Sequence, residues 1–173
     1  VRRNFARAAA TYDDVAVLQR EVGSRMLERL DYVRLAPAAV LDLGCGTGAA
    51  LTALAERYGK AQVIGADLSE AMLRAGVAQR SRLRWLLPFV RGQKTPLVAA
   101  DAAHLPFRAQ SIGLCWSNLM LHWVDDPLQV FREAQRLLEV GGLLMFSTLG
   151  PDTLRELRAA FHDGYLHTQR FTD

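Results

Sequence analysis

Short apolar runs of strand length recur along the chain at residues 39–43, 62–66, 97–100, 112–117 and 143–147. Each is too short for a helix and nearly continuous in Val, Leu, Ile or Ala, the pattern of a strand buried on both faces. Between these runs the apolar positions return at helical spacing. Val15, Leu18, Val22, Met26 or Leu27, and Leu30 predict an amphipathic helix over 14–30, with Asp13 or Asp14 as its cap. Further helices are predicted over 49–58, from a Ser69 cap to Ala78, from Pro127 to Leu138 and over 153–161. In the third of these, Leu128, Phe131, Ala134 or Gln135, and Leu138 form the buried stripe, and Gly141 and Gly142 are expected to stop the helix. Residues 1–14 are polar, with Phe5 and Tyr12 as isolated aromatics. The order is a leading helix, then strands alternating with helices. This predicts an α/β fold, a doubly wound, mostly parallel sheet with right-handed crossovers. It also predicts one domain over 1–173, with residues 1–36 as a helical cap on an α/β core at 37–173.

The stretch Val40-Leu-Asp-Leu-Gly-Cys-Gly-Thr-Gly48 stands apart. A strand, a glycine turn and a helix start make a ligand site at the strand's carboxyl end. The spacing is D-x-G-x-G-x-G rather than the G-x-G-x-x-G of a dinucleotide fold. An acid at Asp42 repels a pyrophosphate but suits a ligand carrying an ammonium or sulfonium charge. The same logic applies at the next strand ends. Asp67 closes the second strand, where a carboxylate accepts hydrogen bonds from both ribose hydroxyls, although a helix-capping role competes with this. Asp101 follows the third strand with Ala102 beside it, placed for an adenine amine or simply for a turn. His104 reads as a surface loop residue, since no metal-ligand spacing surrounds it.

Composition narrows the class. The chain has 173 residues, half of them apolar, enough for a sizeable core. A net charge of +3 permits an acidic partner without demanding nucleic acid, and no nucleic-acid or integral membrane contact is expected. No apolar run approaches the roughly 18 residues of a membrane span, and no apolar signal segment follows Val1-Arg2-Arg3-Asn4. Cys45 and Cys115 sit in apolar contexts and read as reduced residues of an intracellular, cytoplasmic protein.

The glycine stretch closely resembles the first motif of class I S-adenosylmethionine-dependent methyltransferases, and Asp101-Ala-Ala-His-Leu-Pro-Phe107 resembles a later motif of the same class. The resemblance implies S-adenosylmethionine as cofactor, S-adenosylhomocysteine as product and a Rossmann-like fold. It implies Asp42, Gly44, Cys45, Gly46, Asp67, Leu68, Met72, Asp101, Ala102 and Ser117 as the cofactor-binding set, with no metal. The class usually closes its sheet with two more strands. No strand pattern follows residue 161, so these C-terminal strands are expected to be missing. Three further stretches are similar to the malonyl-[acyl-carrier protein] O-methyltransferases of biotin synthesis: Phe5 to Asp13 with Leu18-Gln19, Ser117 to Trp123, and Phe146 to Arg158. A sister group, mitochondrial complex I assembly proteins that act as arginine hydroxylases, shares the last two, and His122 is closer to that group. A small-molecule methyltransferase with His122 as base is a third reading.

The first reading implies methyl transfer to the free carboxylate of a malonyl thioester, carried by acyl carrier protein or coenzyme A, in a monomeric enzyme. A carboxylate is ionised at neutral pH, so no general base is required, and positioning with partial desolvation should carry the rate. The pocket must still attract an anion. Arg7, His122, Arg155 and Arg158 are candidates, the last two having as alternative an exposed helix face paired with Glu156; Tyr12 is placed to fold over the cofactor as a lid or else to anchor the first helix, and Tyr12, His122 and Arg155 are the expected catalytic set. Finally, residues 80–94 hold Arg80, Arg82, Arg84, Arg91 and Lys94 without an acid, interleaved with Leu83, Trp85, Leu86, Leu87, Phe89 and Val90. This stretch is expected to be a long connection, kinked at Pro88, that docks an acidic carrier protein; the plainer alternative is a packed segment with solvated arginines.

Overall fold

The computed structural model describes residues 2–86 and 95–160. A five-stranded parallel sheet forms its centre: β1 (Ala39–Leu43), β2 (Gln62–Asp67), β3 (Leu97–Ala99), β4 (Ile112–Asn118) and β5 (Leu138–Ser147), in the order β3-β2-β1-β4-β5. The chain therefore winds outward from β1 through β2 to β3, then returns to the other side of β1. Where the strand order reverses, the loops after β1 and β4 part and leave a crevice at the carboxyl edge of the sheet.

Successive side chains on each strand feed opposite faces. Val40, Val63, Leu114 and Trp116 pack with Met26, Leu30, Leu51 and Leu54 on one face. These come from α3 (Val17–Arg29), the turn after it, and α4 (Leu51–Arg57). Leu41, Leu43, Ile64, Ile112 and Cys115 pack on the other face with Val130, Ala134 and Leu137 of α6 (Pro127–Leu137). Both faces are covered, which is why the strands read as apolar runs rather than alternations. Helix α6 starts as the sequence indicates: Pro127 occupies its first turn and Asp126 Oδ1 accepts from the Gln129 amide at 3.2 Å.

Four expectations change. The leading segment is helical from the start, as α1 (Arg2–Ala8), and the first amphipathic helix is broken at Ala16 into α2 (Tyr12–Val15) and α3. The break turns Asp13 toward the glycine loop, where Thr47 Oγ1 donates to Asp13 Oδ1 at 2.7 Å. Ser69 is not a side-chain cap. Its buried hydroxyl has no hydrogen-bond partner, and its own amide donates to Asp67 Oδ1 at 2.8 Å, a turn that leads into the helix. The helix that follows, α5 (Glu70–Leu86), runs past Ala78 because no breaker precedes Pro88. Gly141 and Gly142 do not end α6. Extended backbone at Leu138 ends it, and the glycines form a bulge inside β5, where the register jumps from Ile112↔Leu138 to Leu114↔Leu143. A last helix, α7, covers Arg155–Ala160. Among the described residues, no helix is long and apolar enough to cross a membrane.

Candidate active site

The loop after β1 is built by its glycines. Gly44 and Gly48 hold φ of +76° and +84°, which non-glycine residues rarely adopt, and a Cβ on either would meet Met120 or Arg80 respectively. The loop is tied to the end of β2. The amides of Gly44 and Cys45 both donate to the Ala66 carbonyl, at 2.8 and 3.0 Å. Gly46 N–H donates to Asp67 Oδ2 at 2.9 Å, opposite the Ser69 amide on Oδ1. Each carboxylate oxygen thus keeps a lone pair for a further donor. Burial raises the Asp67 pKa above the usual carboxylate value, and these two amides partly oppose the rise.

Two cavities open on either side of this loop. The first, of about 590 Å³, reaches from Leu43, Gly44 and Gly46 past Asp67, Leu68 and Met72 to Asp101 and Ala102, with Arg2, Phe5 and Trp123 above. The second, of about 580 Å³, lies between α3 and the loop, with Asp42, Cys45, Arg80 and Trp116 in its lining. Tyr12, Gly44, Gly46 and Asn118 border both. Asp42 is almost fully buried, and its pKa is pushed up to about 7, first by burial and then by the negative charge of Asp67. Beside it in the sheet is Trp116, whose buried indole N–H has no partner. One buried guanidinium nitrogen of Arg80 is also without one. A cavity holding an acid that ionises more readily beside a cation, together with unsatisfied N–H donors, fits a zwitterionic α-amino acid group.

Phe5 forms edge-on contacts with Tyr12 and Trp123, with ring centroids 6.1 and 5.2 Å apart, so three aromatics roof the first cavity. The Tyr12 hydroxyl is held protonated to higher pH than usual by burial, with Asp13 and Asp67 adding to the effect. Asp101 uses Oδ1 to accept from the Ala103 amide at 2.9 Å, a turn contact made at the border of the first cavity. Burial pushes the Cys45 thiol well up, so Cys45 stays neutral and its part in the loop is played by its backbone.

The structure does not bring every expected residue together. The Ser117 hydroxyl is buried and donates to the Leu43 carbonyl at 2.9 Å, outside both cavities. His122 packs against Trp123, with centroids 5.2 Å apart, and lines neither cavity. Burial lowers its pKa, so it is neutral at pH 7. Arg155 is exposed, 3.9 Å from Asp152, and Arg7 is exposed with its guanidinium on Asn4. Neither borders the cleft. The Arg158 side chain and residues 87–94 lie outside the described residues, as do the side chains of 82–86, so most of the basic stretch does too. Arg80, its first member, turns a guanidinium nitrogen inward against the glycine loop. Asp13, Thr47 and Asn118 also border the cleft, without a sequence motif that marks them as site residues. Their signal was position alone, next to the lid, inside the glycine loop and at the end of β4.

A family model described as "Methyltransferase domain" matches residues 41–146, more than half of the chain and the whole span from β1 into β5. The chain belongs to this methyltransferase domain family. The domain has the Rossmann-like class I fold expected from the sequence. Over its full length the chain is 54% identical to a malonyl-[acyl-carrier protein] O-methyltransferase of Methylovorus sp., covering 58% of that protein. It is 51% identical to one of Laribacter hongkongensis, covering 59%. The chain thus spans a little under three-fifths of the length of these relatives. Among solved structures, a chain of the complex between the Haloferax volcanii Trm112 methyltransferase activator and a methyltransferase superposes with a TM-score of 0.68 at 27% identity, over 86% of this chain and 61% of that one. An S-adenosylmethionine-dependent methyltransferase from Mesorhizobium loti superposes at 0.58 and 28% identity, over 77% and 56%.

Proposed function

We propose that this chain binds S-adenosylmethionine across both cavities and transfers its methyl group to the free carboxylate of a malonyl thioester on acyl carrier protein, a step of biotin synthesis. Coenzyme A is the smaller carrier that the same site would accept. The observation that carries the reading is a single cleft with Asp42 and the glycine loop, Asp67 and Asp101 at three consecutive strand ends, in a chain 54% identical to a malonyl-[acyl-carrier protein] O-methyltransferase. The cofactor when bound supplies an electrophilic sulfonium methyl. Asp67 receives the ribose hydroxyls on its free lone pairs. Asp101 and the Ala102 backbone meet the adenine edge. Asp42 takes the amino acid's ammonium, while Arg80 and the Trp116 N–H take its carboxylate. Leu68 and Met72 enclose the nucleoside from the α5 side.

The acceptor carboxylate needs no base, so the protein's work is to place it in line and strip part of its water. Phe5, Tyr12 and Trp123 exclude solvent over the first cavity. Arg2, which lines that cavity, replaces His122 and Arg155 as the cation that receives the anion. Residues 1–36 act as the cap on the core at 37–173. The protein works as a cytoplasmic monomer. The test is a panel of acids, including malonyl carrier protein, malonyl coenzyme A, free small acids and an arginine-containing peptide. Methyl ester on malonyl carrier protein is the expected product. Bound cofactor with no ester on any acid, or oxygen added to arginine, overturns the reading.

A further inference from the structure

The end of β4 is fastened to the cap by one side chain. The Ser147 hydroxyl, last in β5, donates to Asn118 Oδ1 at 2.8 Å, and Asn118 Nδ2 donates to the main-chain carbonyl of Gln19 in α3 at 2.8 Å. The Leu119 amide returns to Ser147 Oγ at 3.0 Å, from a residue held at φ +51°. This relay runs from β5 through β4 to α3, between segments 99 residues apart in sequence at the Gln19 contact. It is also where the two cavities meet, since Asn118 borders both.

Helix α3 carries a second mark of the same fit. Gly23 sits in its interior, where glycine is normally a poor choice. A methyl group there would lie 3.0 Å from Asn118 Nδ2. The helix thus leaves open the space that the amide fills. Just N-terminal to Gln19 the chain breaks at Ala16 into α2, which begins with Tyr12. The position of Tyr12 over the cleft therefore depends on where α3 is held.

We propose that Asn118 is a positioning residue: its amide fixes the register of α3 against the sheet and so sets Tyr12 over the bound nucleoside. The inference rests on the reading of the cleft as a nucleoside site, and its test separates the two. Asn118→Ser removes the clasp, and Asn118→Asp keeps the shape but turns an acceptor toward the Gln19 carbonyl. S-adenosylhomocysteine affinity is measured by calorimetry, with urea midpoints for each variant. Asn118→Asp and Asn118→Ser should each weaken binding about tenfold, the scale of a lost part-buried hydrogen bond. The deciding readouts are two coupled pairs. Tyr12→Ala should cost affinity in the wild-type background and little in Asn118→Ser. Gly23→Ala should weaken binding in wild type and be neutral once the Asn118 amide is gone. Equal losses in both backgrounds for either pair would overturn the proposal, because a residue that only adds stability would shift every variant alike. If wild type binds no S-adenosylhomocysteine, the nucleoside reading fails, and limited proteolysis then reads the clasp alone. Faster cleavage within residues 12–29 in Asn118→Ser, at an unchanged urea midpoint, supports it; an unchanged cleavage rate rejects it.

Discussion

Replacing Glu133 by Ala should destabilise the protein by loosening the loop that carries Asp101. Glu133 lies on α6 with its side chain 11% exposed. Its Oε1 accepts from the Leu105 amide at 2.8 Å, and both oxygens accept from Arg136, at 2.6 and 2.8 Å. Arg136 in turn donates to the carbonyls of Leu105 and Phe107. The pair therefore staples residues 105–107 to α6, just after the Asp101–His104 bridge. Leu105 is 5% exposed, so its amide would lose its partner without gaining water, a cost of about 1–3 kcal/mol. The lost ion pair adds little to this, since Arg136 is partly exposed and keeps its two carbonyls. With a urea m-value of about 1–3 kcal/mol/M, the midpoint should fall by roughly 1 M. The pH dependence gives a second check. The Arg136 guanidinium, with the Leu105 amide, holds the Glu133 pKa below its ordinary value. Its contribution is therefore complete above the ordinary glutamate range and is lost as pH falls through the lowered folded value. Wild type and Glu133→Ala should converge in acid. Equal midpoints at pH 7, or a gap that ignores pH, would show that Glu133 does not hold this loop.

Three other outcomes follow from the cleft. Asp42 has a pKa near 7 in the free protein, so a cationic cofactor should bind more tightly at pH 8 than at pH 6 and release protons on binding; calorimetry in buffers of different ionisation enthalpy would show neither if Asp42 is not a partner. Tyr12→Phe should keep S-adenosylhomocysteine affinity while Tyr12→Ala weakens it several-fold, and full activity in Tyr12→Ala removes the lid. Arg80→Met should bind S-adenosylhomocysteine about tenfold more weakly yet leave affinity for the decarboxylated analogue unchanged, because only the former presents a carboxylate; parallel losses would place the carboxylate elsewhere.

Strand-end chemistry was legible in the sequence because it is local. Asp42 and Asp67 owe their positions to the ends of β1 and β2, Gly44 and Gly46 to a positive φ that other residues rarely adopt, and a parallel sheet brings such termini together. The anion receptor was not legible. His122 and Arg155 are near the cleft in sequence pattern, but a single helical or 3-10 turn decides which way a side chain points. Arg2 and Arg80 reach the cavities only through tertiary packing of the cap and of α5. The glycines at 141 and 142 show the same limit: a helix stop and a strand bulge both favour glycine, and only the pairing of β5 with β4 distinguishes them.

The central claim is that the loop after β1 and the acid ending β2 form one nucleoside site. It is tested most directly by titrating the protein and its Asp67→Ala variant with S-adenosylhomocysteine in a calorimeter. Wild type should form a one-to-one complex and the variant should lose about 1–3 kcal/mol, the value of charge-assisted hydrogen bonds to a part-buried carboxylate. Circular dichroism should report the same fold for both. Equal affinity in the two proteins, or no binding to a folded wild type, would contradict it.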